Sequence, residues 1–395
     1  MRISRLNRVR VGERLFDLIL DPDAGTVSLI VPAGGAKENM QAGIKDAGGL
    51  LYLPTLKDRH THLDKHFLGE PWKPLQPFVT LPGQLAFEQT LLASLPTTAA
   101  ERARRLLDVL LDQGTTKIRT HVDVDPRIGL SHLEDVLAVR EQYRGRMEIE
   151  IVAFPQQGLL RSESVAIMKR ALRAGADLVG GVDPAGLDRQ LERSLEAMFE
   201  LSAEFDAGVD LHLHDPGHLG AYTIERFADL TAEAGKAGRA SVSHAYCLGQ
   251  IPPEQSRELA RRLGDEGVAI VTSVPIDRPM PRVGELLAEG VDVGIGTDNV
   301  RDAWSPFGNG DLLARTSRLA ERFGWVTDDD LLKAFALPAD GPLEPVEGAP
   351  ATFMLVDSQH PMHAVASVPA REAVFSRGQL VGGRWAGREK PGVGG

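Results

Sequence analysis

The stretch TLKDRHTHLDK, residues 55–65, begins the part of the chain that decides the fold. Its first eight residues form a candidate strand, and seven more candidate strands follow, separated by charged segments rich in alanine and leucine. The eight candidates are residues 55–62, 116–123, 148–156, 176–182, 209–214, 240–246, 268–274 and 291–297. Strands that alternate with helices predict a parallel sheet, and a count of eight favours a closed (β/α)₈ barrel of the TIM type.

The two ends of the chain show a different pattern from the middle. Short strand-like runs separated by turn residues occupy 12–31 and 351–383. We therefore predict that the N- and C-terminal segments, residues 1–53 and 350–395, form one small β-sandwich domain. The barrel domain is predicted to span residues 54–349.

The overall composition excludes several classes of function. The 395 residues carry a formal net charge of −11, and an acidic surface repels the phosphate backbone of nucleic acids. No run of 18 apolar residues predicts a membrane span, and the basic N-terminus lacks the apolar core of a secretory signal. The single cysteine, Cys247, excludes an intrachain disulfide, so a cytoplasmic location is predicted.

Histidines are concentrated at the predicted ends of three barrel strands. Five of the eleven lie at the ends of strands one, five and six: His60, His62, His212, His214 and His244. Residues two apart in a strand share a face, and the C-terminal strand ends of such a barrel meet on one side. Imidazoles gathered on one face are typical metal ligands. Asp298 ends the eighth strand, where a buried carboxylate needs a partner that a cation would supply.

These residues resemble the metal-binding pattern of the amidohydrolase superfamily, in which the ligands lie on strands one, five, six and eight. Four other stretches resemble its cytosine deaminase-like branch, including enzymes of that branch that break down s-triazines. They are IRTHVD (118–123), VAFPQ (152–156), DLVGGVDP (177–184) and DNVRDAWSPFGNGD (298–311). The resemblance covers most of residues 50–315.

By this resemblance, one divalent metal ion per subunit is bound by His60, His62, His212 and Asp298. Zinc is the expected metal and iron is the alternative. Two-metal relatives carry a bridging lysine on a strand in the middle of the barrel. The third and fourth predicted strands contain no lysine, which favours a single metal.

The resemblance also implies a reaction in which metal-bound hydroxide attacks the ring carbon that carries the amine. Asp298 would take the proton of the water, and His244 would hold the hydroxide or stabilise the oxyanion. Lys65 would donate to the substrate or to the water. The acid that protonates the leaving nitrogen stays open between two neighbours. Strand alternation turns His214 inward and favours it, whereas Asp215 could instead be a helix cap.

Four further residues are candidates for substrate binding: Gln156, Asn299, Trp304 and Phe307. Gln156 would read a ring amide, although a polar residue is also common at a strand end. Asn299 stands where cytosine deaminases carry a second aspartate, so strict specificity for cytosine is not expected. The two aromatic residues would stack on a flat ring or else pack in the core. His121 is interpreted as a structural histidine beneath the site.

The sequence thus predicts a hydrolase that cleaves an exocyclic C–N bond of a small nitrogen heterocycle, such as a pyrimidine or an s-triazine. The alternative is a cyclic amide hydrolase that opens a hydantoin- or lactam-like ring, and a third hypothesis is an inactive metal-binding scaffold. We expect a homo-oligomer whose partner is a small-molecule substrate. The long stretch 67–98, which follows the first strand, is predicted to form a lid or pocket wall.

Overall fold

The computed structural model describes residues 2–34 and 42–387, and within them the chain forms sixteen strands and eleven α-helices. The strands are β1 (Arg5–Val11), β2 (Arg14–Asp21), β3 (Thr26–Pro32), β4 (Ile44–Asp46), β5 (Leu51–Thr61), β6 (Thr115–Asp123), β7 (Glu148–Phe154), β8 (Leu178–Val182), β9 (Gly208–Leu213), β10 (Ala240–His244), β11 (Val268–Thr272), β12 (Val293–Ile295), β13 (Ala339–Asp340), β14 (Phe353–Val356), β15 (Arg371–Ser376) and β16 (Gln379–Gly382). The helices are α1 (Leu81–Ala93), α2 (Ala99–Asp112), α3 (Ser131–Gln142), α4 (Val165–Ala174), α5 (Leu191–Phe205), α6 (Gly217–Glu233), α7 (Pro253–Asp265), α8 (Val283–Ala288), α9 (Leu312–Phe323), α10 (Asp328–Ala336) and α11 (Pro361–Ser367).

Eight parallel strands, β5 to β12, form the barrel in sequence order, each hydrogen-bonded to the next. The circle closes where Thr61 forms a parallel bridge with Asp298, just beyond β12. The N–H of Asp298 also donates to the carbonyl oxygen of His60 at 2.7 Å. All eight predicted strands are present, and the predicted (β/α)₈ barrel is confirmed.

Helix α2 shows why the segments between the strands fold as helices that pack on the barrel. Thr98 and Glu101 form a capping box, in which each side chain accepts a hydrogen bond from the backbone N–H of the other residue. Leucines three or four residues apart, such as Leu106 and Leu110, lie on one face of the helix and are fully buried in the main core. Among the described helices, none is both long and apolar enough to cross a membrane.

The terminal strands join along the first barrel strand. The N-terminal half of β5 pairs with β14 on one side and meets β1 at Arg10 and Leu51 on the other. A second apolar core lies between these strands and contains Leu6, Val27 and Phe353. The prediction that both chain ends build one additional β domain is confirmed. Its boundary at residue 53 falls inside the continuous strand β5 and stays a prediction, and β1 was not predicted as a strand.

The stretch 67–98 contains helix α1, which packs against the loop that follows β12. Proline at the start of α1 and the side chain of Thr80, which accepts from the N–H of Gly83, fix its first turn. Gln84 donates to the carbonyl oxygen of Ala303 at 2.6 Å, and Glu88 accepts from Trp304 at 2.7 Å. The stretch therefore contributes a wall on the side of the barrel where the C-terminal ends of the strands lie.

Candidate active site

Histidines from three strands and one carboxylate meet at the C-terminal end of the barrel. The Nε2 atoms of His60 and His62 lie 3.5 and 3.4 Å from the same oxygen, Oδ1 of Asp298. The ring of His212 lies 4.5 Å from that of His60, and Nδ1 of His244 lies 3.9 Å from the other oxygen of Asp298. The structure thus brings together all four predicted metal ligands.

The donor atoms of this cluster fit a divalent cation. His60 Nε2 and both ring nitrogens of His212 are buried and have no hydrogen-bond partner among the described residues. Such orphaned polar atoms are costly unless a further group binds them. Within the described residues, two sets of potential ligand atoms lie within 4.8 Å of one another: His60, His121 and His212 in one, and His60, His244 and Asp298 in the other.

The protonation states also suit metal binding. Burial and the neighbouring histidines lower the pKa of His212 and His244 well below the usual value. Burial and the nearby Lys65 ammonium lower the pKa of His62 to about 4. Burial alone would raise the pKa of Asp298, but the surrounding histidines hold it well below its usual range. Neutral imidazoles and an ionised carboxylate are the forms that bind a metal.

A second layer of polar groups orients His60 of β5 and His62, which follows the strand. Nδ1 of His60 lies 2.8 Å from Oγ of Ser243, which donates to Asp210 at 2.8 Å. Asp210 is fully buried and also accepts from Arg119 at 2.7 Å. Nδ1 of His62 lies 3.1 Å from the carbonyl oxygen of His121. In the tautomer that carries its proton on Nδ1, His62 donates to this oxygen. These contacts point both Nε2 atoms at Asp298.

Asp210 was not predicted as a functional residue. It lies two residues before His212 on β9, so strand alternation places the two on the same face, and this signal was present in the sequence. His121, interpreted as structural, lies 3.4 Å from Asp210 through Nε2 and 4.2 Å from His60 between ring centres. It therefore belongs to the cluster by position, and its structural role stays a prediction.

Four residues at or just beyond the ends of barrel strands have left-handed backbone geometry. Asp183, His244, Val274 and Asp298 have φ values of 37°, 72°, 54° and 55°. A non-glycine residue in this region costs on the order of 1–3 kcal/mol, and such strain is concentrated at functional sites. Here two of the four residues carry side chains of the cluster.

The two candidate acids lie in different surroundings. The imidazole of His214 is 38% exposed, and its ring centre lies 4.5 Å from that of His244. Its Nδ1 lies 2.9 Å from Oδ2 of Asp183. Burial lowers the pKa of His214, but the Asp183 carboxylate raises it more. Asp215 instead accepts from the N–H of Gly186 at 3.1 Å, in the loop after β8. Burial and the Asp183 charge raise the pKa of Asp215 to about 6.

Lys65 is at the centre of a buried charged group beside the cluster. Its ammonium lies 3.0 Å from Asp123, 3.9 Å from Glu88 and 5.3 Å from the ring centre of Phe154. Phe154 in turn stacks on His212 with ring centres 4.0 Å apart. Burial lowers the pKa of Lys65, but the two carboxylates raise it more, so the side chain is a cation. Lys65 therefore lies next to the cluster but has its charge balanced by carboxylates.

Glu88, from helix α1, is a second residue that sequence reasoning missed. Its carboxylate accepts from Trp304 Nε1 at 2.7 Å and from Gln156 Nε2 at 3.3 Å. Burial raises the pKa of Glu88 to about 7 against the opposing effect of Lys65. The carboxylate thus connects Gln156 and Trp304, which are predicted to bind substrate, with Lys65, which is predicted to donate to the substrate or the water.

The two remaining candidates do not contact this group. Asn299 donates to Asp302 at 2.8 Å within the loop after β12. Phe307 is 75% exposed and lines a surface cavity that also contains Arg301. Substrate contacts by Asn299 and Phe307 therefore stay predictions that no contact in the structure supports.

Comparison with known proteins identifies the family. The model of the amidohydrolase family Amidohydro_3 matches residues 44–343, which is most of the chain and the entire barrel. The chain belongs to the amidohydrolase family. Enzymes of this family depend on metal ions, in agreement with the donor set at the barrel mouth, and the chain is therefore an enzyme that acts on C–N bonds other than peptide bonds.

Individual relatives agree with the predicted branch. N-isopropylammelide isopropyl amidohydrolase from Pseudomonas sp. (strain ADP) is 33% identical over 353 residues, covering 85% of this chain and 87% of the relative. The crystal structure of N-isopropylammelide isopropylaminohydrolase from Burkholderia multivorans superimposes with a TM-score of 0.88 at 35% identity, over 97% of this chain and 98% of that one. That of 5-methylcytosine deaminase from Klebsiella pneumoniae, liganded with phosphonocytosine, gives 0.80 at 26% identity, over 95% and 97%.

The contacts of Asp210 generate a prediction for this amidohydrolase. Asp210→Asn replaces an acceptor of Ser243 with an amide, so His60 loses part of its orientation. We expect metal affinity to fall about 10–100-fold, measured by competition with a chromogenic chelator. Glu150→Gln is the control, because Glu150 binds the same Arg119 at 2.6 Å from a more exposed position. Equal affinity in both variants would mean that Asp210 does not orient His60.

Proposed function

We propose that this amidohydrolase hydrolyses an exocyclic C–N bond of a small, flat nitrogen heterocycle of the pyrimidine or s-triazine kind. The observation that carries the proposal is the position of the Lys65, Glu88, Gln156 and Trp304 group directly beside the histidine cluster. A nucleophile site and a recognition site for ring N–H and C=O groups thus adjoin. Relatives named for ammelide and cytosine substrates support this class.

The proposed metal is a single divalent ion held by His60, His62, His212 and Asp298, with zinc first and iron as the alternative. When bound, such a cation lowers the pKa of a coordinated water toward ~7. We further propose a cytoplasmic enzyme that assembles as a homo-oligomer. Neither proposal affects the roles proposed for the active-site residues, because those residues all come from one chain.

Asp298 is the proposed base. One of its oxygens faces His60 and His62, while the other faces His244 at 3.9 Å. A carboxylate in this position can accept the proton of an attacking water with its second oxygen. His244, whose backbone has a φ of 72°, is then the proposed partner for the negative charge that develops on the oxygen newly bonded to the ring carbon.

His214 is the proposed acid for the leaving nitrogen. Its Nδ1 is taken by Asp183, so that Nε2 remains available to donate. Its exposed edge and its proximity to His244 put it within reach of a substrate at the cluster. Asp215, which faces the loop at Gly186, is proposed to support this loop rather than to transfer the proton.

The test of the function is a product assay over a panel of rings. Cytosine, isocytosine, creatinine, ammelide and N-alkyl ammelides are incubated with protein loaded with zinc or with iron. Release of ammonia or an alkylamine with the ring intact is the expected result. Ring opening of a hydantoin- or lactam-like substrate, without amine release, would support the cyclic amide hydrolase instead. No turnover on any ring with metal bound would contradict the proposal.

Substitution of each candidate acid separates their roles. We expect His214→Ala to lower kcat by about 10²–10⁴ while metal content stays unchanged, because the variant loses its general acid. Asp215→Ala is expected to keep near-normal turnover. Steady-state kinetics combined with elemental analysis measures both effects. The assignment is wrong if the two variants show the reverse pattern.

Glu88→Gln tests the recognition group. The amide can no longer accept with both oxygens, so Gln156 and Trp304 lose their fixed positions. We expect KM to rise about tenfold, with metal content unchanged. Glu70→Gln is a matched control, because this mostly buried carboxylate of the same stretch binds Arg105 at 3.0 Å and not the pocket residues. An unchanged KM in Glu88→Gln would exclude Glu88 from substrate positioning.

A further inference from the structure

A surface cavity lies next to the loop that carries Asp298. It has a volume of about 400 Å³ and is lined by the start of helix α9 and by the loop that precedes it. Three arginines contribute to its wall: Arg301, Arg315 and Arg318. We call this cavity the arginine pocket. Nothing in the proposed reaction uses it.

Two of the three guanidinium groups of the arginine pocket, those of Arg301 and Arg318, lack a paired carboxylate. Within residues 2–34 and 42–387, the guanidinium groups of Arg301 and Arg318 form no hydrogen bond and have no carboxylate oxygen within 4.0 Å. Arg315 binds only carbonyl oxygens, among them that of Ser273 at 3.1 Å. Asp311 also lines the pocket, but both of its oxygens bind Arg371. The pocket is therefore a positively charged patch on a chain whose net charge is −11.

Two of these arginines repel each other. Burial lowers the pKa of Arg315, and the positive charge of Arg318 lowers it further, against the opposing effect of the Asp298 and Asp58 carboxylates. Both side chains are partly buried on α9, so water screens this repulsion only in part. A bound anion would relieve it. Guanidinium groups bind phosphate and carboxylate oxygens in a bidentate manner, which makes them the usual ligands of oxyanions.

We propose that the arginine pocket binds a small oxyanion of the phosphate type, either free phosphate or a phosphate monoester. Arg301 and Arg318 supply the free donors, and Arg315 adds positive charge to the wall. The pocket is large enough for a phosphate group with a short substituent.

The pocket also has a physical connection to the active site. Arg315 donates to the carbonyl oxygens of Thr297 at 2.9 Å and Asn299 at 3.4 Å, on either side of Asp298. The loop at Gly308 lies so close to Asn299 that a Cβ atom on Gly308 would be 2.6 Å from its carbonyl oxygen. An anion in the pocket therefore stabilises the segment that presents Asp298 to the cluster.

The test measures the melting temperature of the metal-loaded protein during titration with inorganic phosphate, with chloride adjusted to keep the ionic strength constant. A ligand that binds only the folded state raises Tm with saturation, and we expect a shift of about 3 °C. A parallel titration with glycerol 3-phosphate distinguishes the two sources: a tighter response indicates a monoester, and a weaker one indicates free phosphate.

Substitution of the arginines tests whether they bind the phosphate. Arg301→Gln combined with Arg318→Gln is expected to abolish the saturable shift, while Arg170→Gln, at an exposed position of α4, retains it. A shift that persists in the double variant would assign phosphate to the metal cluster and overturn the proposal. A double variant that loses self-association, while unmodified protein shows no phosphate response, would assign the arginines to a contact between copies and also overturn it.

Discussion

The structure depends on the burial of several imidazoles and one carboxylate at the mouth of a barrel, where the protein leaves some of their polar atoms without partners. Orphaned nitrogens of His60 and His212 would each cost on the order of 1–3 kcal/mol if nothing bound them. The fold nevertheless holds these groups in fixed positions, through Ser243 and Asp210 on one side. A cation accounts for much of this arrangement, because one ion can bind His60 Nε2 and one nitrogen of His212 together with the carboxylate.

The same backbone contacts close the barrel and assemble the cluster. The backbone of Asp298 pairs with that of His60, so the last strand brings the carboxylate to the first strand's histidines. Gly296 is needed for this approach, because a Cβ atom there would lie 2.6 Å from the carbonyl oxygen of His60. In this chain, the register between the first and last barrel strands therefore also fixes the position of Asp298 relative to His60.

Much of this could be predicted from the sequence, because its signals are local. Period-two spacing put His60 and His62 on one face, and eight strand–helix units predicted the barrel. The group around Glu88 could not be found in this way. Glu88 lies 68 residues from Gln156 and 216 from Trp304 along the chain, on a helix whose position depends on tertiary packing. The spacing of two residues also places Asp210 on the same face as His212. The sequence did not indicate which contacts this aspartate would form.

The most direct test of the account is anomalous diffraction from crystals of the purified protein, recorded on both sides of the zinc and iron absorption edges. The account predicts one anomalous peak per chain, within bonding distance of His60 and His62 Nε2, a nitrogen of His212 and an oxygen of Asp298. Crystals grown without chelator that show no peak there after soaking in zinc and iron, with the histidines in the positions described, would contradict it.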